Sequence, residues 1–256
     1  MITFQPIEFI HLGPLAISTH ALLMVIGIAL AYWRLRVFAQ QQKLPVDFLD
    51  TAVCWGVLGG IVGARILYVA LNIQLYDSVF DVLKVWEGGL VSFGGLLGGL
   101  IGAMIFLQVK KQPVLRWLDA GMLYILLGWA IGRIGDLISW GEIGSPTSLP
   151  WGMIVNGDVP RHPAQLYETL LLLIGFAIIR LAHRKGYLHK PGTLFGVALA
   201  FYGLNRFIIE LVRDYPNSEY WFSYGYFAQG ISLILLAVGI ICSVLFARRY
   251  TIMYSR

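Results

Sequence analysis

Three short segments of this chain set ionisable side chains into strongly apolar surroundings. In GRIGDLISWGE, Gly132 to Glu142, Arg133 and Asp136 stand three apart and share a helix face, with Glu142 beyond the helix end. An arginine oriented by acids can hold an anionic phosphate; the plainer reading is a self-contained Arg–Asp pair. In RHPAQLYE, Arg161 to Glu168, Pro163 suits the first turn of a helix. That sets Arg161 and His162 at a helix start, a natural anion site, with Gln165 and Glu168 close together one turn in. His162 titrates near neutrality and can serve as general acid or base, although a lone histidine is more often structural. In YGLNRFIIELVR, Tyr202, Arg206, Glu210 and Arg213 fall at i, i+4, i+8 and i+11, one stripe on a helix. A purely structural helix rarely needs two arginines and a glutamate on one face. Arg65 is a further cation in an apolar stretch, with a functional reading and a snorkelling one on equal terms.

The elements that must carry these residues are membrane spans. Of 256 residues 58% are hydrophobic and 13% charged, against roughly half and a quarter in soluble domains. About 20 mostly apolar residues cross a bilayer as a helix. Seven stretches approach that length, near Leu15–Phe38, Phe48–Leu71, Leu90–Leu107, Leu115–Ile138, Pro163–Leu181, Thr193–Val212 and Phe222–Phe246. The expected fold is therefore an all-α polytopic membrane protein of about seven transmembrane helices, in one domain over 1–256. An ionisable group inside such a span is expensive and functional by default.

The basic residues between spans alternate. Thirteen of the 19 Lys and Arg fall on one side, Arg34, Arg36 and Lys43 through Arg248, Arg249 and Arg256. The other side holds only Lys84, Arg161 and Arg213. Cytoplasmic loops are the Lys/Arg-rich ones, which puts the N-terminus outside, the C-terminus inside and the helix count at an odd number. The net charge of +5 is thus a topology signal beside anionic lipid heads, and a nucleic-acid partner is not expected. Loops 72–89 and 139–161 face outward; the second is rich in Gly, Pro and Trp and suits a rim or lid. Glycines at three- and four-residue steps, such as Gly59, Gly63, Gly94 and Gly98, predict close helix packing. Cys54 and Cys242 lie in apolar stretches and read as buried thiols. MITFQPIEFIHLGPL has no basic n-region, so the first hydrophobic segment reads as a retained helix.

Together the three segments resemble the bacterial prolipoprotein diacylglyceryl transferases. RHPAQLYE is similar to that family's most uniform segment, YGLNRFIIELVR has its Tyr, Arg, Glu and Arg at the same spacing, and WEGGLVSFGGLLGG and GARILYV also fit. The resemblance implies a multi-pass protein of the bacterial cytoplasmic membrane. Such a protein transfers the diacylglyceryl group of phosphatidylglycerol to the lipobox cysteine of a preprolipoprotein signal peptide. It forms a thioether, releases glycerol phosphate and needs no cofactor or metal. By the same resemblance Arg133 and Arg206 take the phosphate. Glu168, Glu210 and Arg213 order the site with Tyr202 beside them, and Glu142 and His162 sit at its outer rim. Asp136, Gln165 and Arg65 are further candidates for substrate binding, read from the residues themselves. The chain departs from the pattern in carrying Asp136 for Asn, Trp140 as an extra residue, Phe93 for a proposed basic His, and His20 for Tyr. The thiol base is then His20 or His162. The rival readings are a transferase with another acceptor and a lipid-binding or transport protein without chemistry, the latter usually built from paired repeats, none of which is visible.

Overall fold

The computed structural model describes residues 1–13, 15–76, 78–85, 88–142, 144–214 and 224–254. Its elements run β1 (Ile2–Phe4), β2 (Phe9–Leu12), β3 (Leu15–Ser18), α1 (Thr19–Gln41), α2 (Leu49–Leu71), α3 (Val79–Val82), α4 (Ser92–Val109), α5 (Val114–Ser139), β4 (Met153–Val155), α6 (Ala164–Arg184), α7 (Thr193–Glu210) and α8 (Tyr224–Tyr254). Seven helices, all but the four-residue α3, are long and apolar enough to cross a membrane. The seven expected spans are all found, shifted by a few residues; Phe222, where the last was expected to begin, lies outside the described residues. The first span begins at Thr19 rather than Leu15 because Leu15–Ser18 pairs antiparallel with Phe9–Leu12. Alternation that short is masked in sequence by the apolar run it adjoins.

The chain divides into two compact units, Met1–Val37 with Leu118–Arg256, and Phe38–Trp117. In the second, α2 and α4 pack through their glycines. A Cβ on Gly63 would run into the carbonyl oxygen of Gly94, and one on Gly59 into that of Gly98. Only glycine lets the two backbones come this close, and in lipid such van der Waals packing is a main source of helix association. Arg65 donates here to the carbonyls of Val82 and Gly88, each at 2.7 Å, so it ties down the segment after α2. Phe93 is buried in the first turn of α4. Cys54 is exposed, against the expectation of a buried thiol: an apolar stretch whose solvent is lipid has no need to face the interior.

In the first unit, the same device brings α1 against α5, where a Cβ on Gly27 would meet the Gly128 backbone. The spans of α5 and α7 are 56% and 61% buried, against 11–28% for the other five. They are thus the two most enclosed spans among the described residues. A buried side chain fixes where α7 starts. Asp119 of α5 accepts hydrogen bonds from the Gly192 and Phe195 amides, both at 2.7 Å, and so caps α7 from a neighbouring helix. Beyond the helix ends, β1 pairs parallel with β4 and orders the segment between α5 and α6.

The glycine contacts give a graded expectation. Gly63→Val should lower the thermal stability of detergent-solubilised protein by at least the ~1–3 kcal/mol of an overpacked core. Gly56→Ala, whose new methyl meets only ordinary contacts at 3.7–3.8 Å, should leave it nearly unchanged. Equal effects at the two positions would contradict this packing.

Candidate active site

The functional groups singled out in sequence assemble mostly at one end of α5, α6 and α7. α5 ends on Trp140, which adopts φ +54°, with Trp140 N–H donating to Leu137 and Gly141 N–H to Asp136. This is a Schellman closure with tryptophan where glycine is usual. It turns the chain so that Glu142 folds back onto Arg133. The unfavourable left-handed backbone costs about 1–2 kcal/mol, and the indole packs on Phe4 with ring centroids 6.2 Å apart. Trp140, the residue read from the sequence as extra, is therefore the one that reverses the chain.

α7 is helical only to Glu210, so the stripe expected to continue on one helix face stops there. Leu211 and Val212 form a turn, Ser145 N–H bonds the Val212 carbonyl, and Arg213 bridges to Gly144. The departure from the helix delivers Arg213 to the acids all the same.

The result is a closed ring of alternating charge. Arg133 lies 3.0 Å through Nε from Glu168 Oε2, which also faces Arg206 Nη1 at 3.4 Å. Arg206 Nη2 is 2.5 Å from Glu210 Oε1, and Arg213 Nη1 is 3.4 Å from the same oxygen. Arg213 Nη2 is 3.0 Å from Glu142 Oε1, which returns to Arg133 Nη1 at 2.9 Å. Asp136 branches from the ring, with Oδ2 2.6 Å from Arg133 Nη1 and Oδ1 2.7 Å from His20 Nδ1. Three arginines thus meet four carboxylates. Arg133, Arg206, Glu168 and Glu210 are all buried. Gln165 donates to the Glu142 carbonyl at 2.6 Å and holds the returning segment. The Arg133 guanidinium lies over Trp129, whose ring meets Tyr202 edge-on at 5.8 Å.

Three expected residues, His162, Arg161 and Arg65, lie apart from the ring. His162 Nδ1 is 3.3 Å from the Tyr167 hydroxyl, which accepts the Trp151 indole N–H at 2.7 Å. Arg161 is held by Asp158 and Asp214, each at 2.8 Å, and donates to the Gly144 carbonyl. It pins the loop. Arg65 belongs to the other compact unit, as described above. Sequence reasoning passed over Trp129 and Asp119. Trp129 is one turn before Arg133, a usable signal for stacking, and Asp119 is a lone acid in an apolar span.

The model for the prolipoprotein diacylglyceryl transferase family matches residues 7–245. The chain belongs to that family. It is 35% identical to the phosphatidylglycerol–prolipoprotein diacylglyceryl transferase of Symbiobacterium thermophilum over 252 residues, 94% of this chain and 92% of the relative. It is 38% identical to that of Cupriavidus metallidurans, covering 84% and 82%, and 32% identical to that of Thermotoga maritima, covering 79% and 73%. As a family member the chain is a multi-pass membrane transferase.

Burial pushes the Glu142 carboxyl up, but Arg133, Arg213 and Arg206 outweigh it and hold it down at about 2. A depressed carboxylate stabilises the fold above its ordinary value, 4.5, and loses that contribution as pH falls toward 2. Acid titration of thermal stability should therefore show a loss between these values that is smaller in Glu142→Gln. Identical acid profiles would mean that Glu142 is not clamped by the arginines.

Proposed function

We propose that this chain transfers the diacylglyceryl group of phosphatidylglycerol to the thiol of a lipobox cysteine in a prolipoprotein signal peptide, with Arg133 and Arg206 holding the phosphate. The transfer itself, its donor and its protein acceptor follow from family membership. The residue roles rest on one observation: two buried guanidinium groups converge on a single carboxylate oxygen, Glu168 Oε2. Two cations converging there can close equally on one phosphate. The donor is a lipid anion, so its phosphate must meet fixed cations at headgroup depth.

The thiolate attacks the diacylglyceryl carbon that carries the phosphate oxygen. The C–O bond breaks toward oxygen and glycerol phosphate leaves with one more negative charge than it had in the diester. Preorganised cations in a water-poor site are worth most where such charge develops. Glu168, Glu210 and Arg213 keep the two arginines in register, Tyr202 supports them through Trp129, and Asp136 and Glu142 hold Arg133. Glu142 Oε2, Glu168 Oε1 and Gln165 Oε1 are buried with no hydrogen-bond partner among the described residues. They are acceptors, and the glycerol headgroup of the donor carries hydroxyl donors.

Residues 1–256 act as one domain in the bacterial cytoplasmic membrane, N-terminus outside and C-terminus cytoplasmic, as the alternation of basic loops supports. By that alternation loops 72–89 and 139–161 each fall on the outer side, the second as a rim beside the ring.

The test is purified protein with phosphatidylglycerol and a synthetic lipobox peptide, read by mass spectrometry for the diacylglyceryl adduct on cysteine. Arg133→Ala and Arg206→Ala should each lower the rate by about 10²–10³-fold. Adduct at the unaltered rate in both variants, or lipid flux with no adduct from the unsubstituted protein, would contradict the assignment.

A further inference from the structure

One of the five histidines is joined to the ring. His20, the second residue of α1, faces Asp136 through Nδ1, and the other oxygen of Asp136 faces Arg133. Its side chain remains 43% exposed, whereas that of Asp136 is 13% exposed. The anchored nitrogen is thus covered and the ring as a whole is open to an incoming group. Gly135 lets this corner form, because a Cβ there would sit 3.1 Å from His20 Cα. His162 has a hydroxyl at Nδ1 and no carboxylate among the described residues.

We infer that His20, oriented by Asp136, is the base that takes the proton of the acceptor thiol, and that the donor phosphate activates it by drawing Arg133 away from Asp136. This rests on the transferase reading above. A carboxylate on Nδ1 fixes the tautomer that leaves Nε2 as acceptor and stabilises the imidazolium that forms. In the resting ring Asp136 divides its charge between His20 and Arg133. Once a phosphate engages Arg133, that charge falls on His20 alone, so the dyad is complete only when the donor is in place. The charged groups facing His20 are Asp136 and Arg133 from α5 and Glu142 from the segment after it.

The step balances. Nε2 takes the thiol proton, sulfur bonds to the glycerol carbon as the C–O bond breaks, and the electron pair leaves on the phosphate oxygen. The imidazolium then returns its proton to the departing phosphate monoester. Asp136 touches neither substrate and is a positioning residue.

The experiment follows transfer rate against pH at saturating phosphatidylglycerol for wild type, His20→Gln, His20→Ala and Asp136→Asn. Wild type should lose rate on the acid side as His20 protonates. His20→Gln should be about 10²–10⁴-fold slower, without that acid limb, while still binding phosphatidylglycerol vesicles. Added imidazole should restore part of the rate to His20→Ala, and Asp136→Asn should move the acid limb to lower pH. An unchanged rate and profile in His20→Gln overturns the dyad alone. Should that variant not fold, an unmoved acid limb in Asp136→Asn overturns it equally. Folded wild-type protein that makes no adduct overturns the transferase reading, and the dyad with it.

Discussion

Each carboxylate of the ring serves two arginines, and each arginine serves two carboxylates of the ring, Arg133 holding Asp136 as well. That reciprocity is what allows so many charges to exist within membrane-spanning helices. An isolated buried ion is costly, and removing one partner from a buried pair typically costs about 3–5 kcal/mol. A closed ring leaves no end group, so no ion is stranded. On the proposed function, an entering phosphate would recruit Arg133 and Arg206 by exchange, without moving charge in from water.

The rest of the structure serves that ring. α5 and α7, the two most buried spans, supply Arg133, Arg206 and Glu210, and α6 supplies the fully buried Glu168. Asp119 sets the start of α7, which fixes where Arg206 arrives four turns later. Trp140 reverses the chain at the end of α5, and the break of α7 after Glu210 turns Arg213 inward. Arg161 is spent on Asp158 and Asp214, so that the loop carrying Glu142 is held from its far side. Small residues between α1 and α5 let His20 reach Asp136.

Much of this was legible before any fold was known, because lipid imposes simple rules. Span length and loop charge define seven helices, and an ionisable residue in a span stands out against its neighbours. Arg133, Glu168, Arg206 and Glu210 could all be picked out that way. What was hidden depends on contacts between distant segments. Nothing near Thr19 says that Leu15–Ser18 prefers a hairpin to a longer helix. Asp119 is indistinguishable from a stray acid until α7 arrives above it. Arg213 has helical spacing, and only its pairing with Gly144 takes it off the helix. The membership of His162 could not be decided by spacing, since its partner is the Tyr167 hydroxyl rather than the ring.

Occupation of the ring by the donor is the point on which the account turns, and a structure with phosphatidylglycerol bound tests it directly. The account predicts the phosphate within hydrogen-bonding distance of both Arg133 and Arg206, with the links from these arginines to Glu168 and Asp136 lengthened and the His20–Asp136 contact kept. A phosphate seated elsewhere, with the ring still closed, would contradict it.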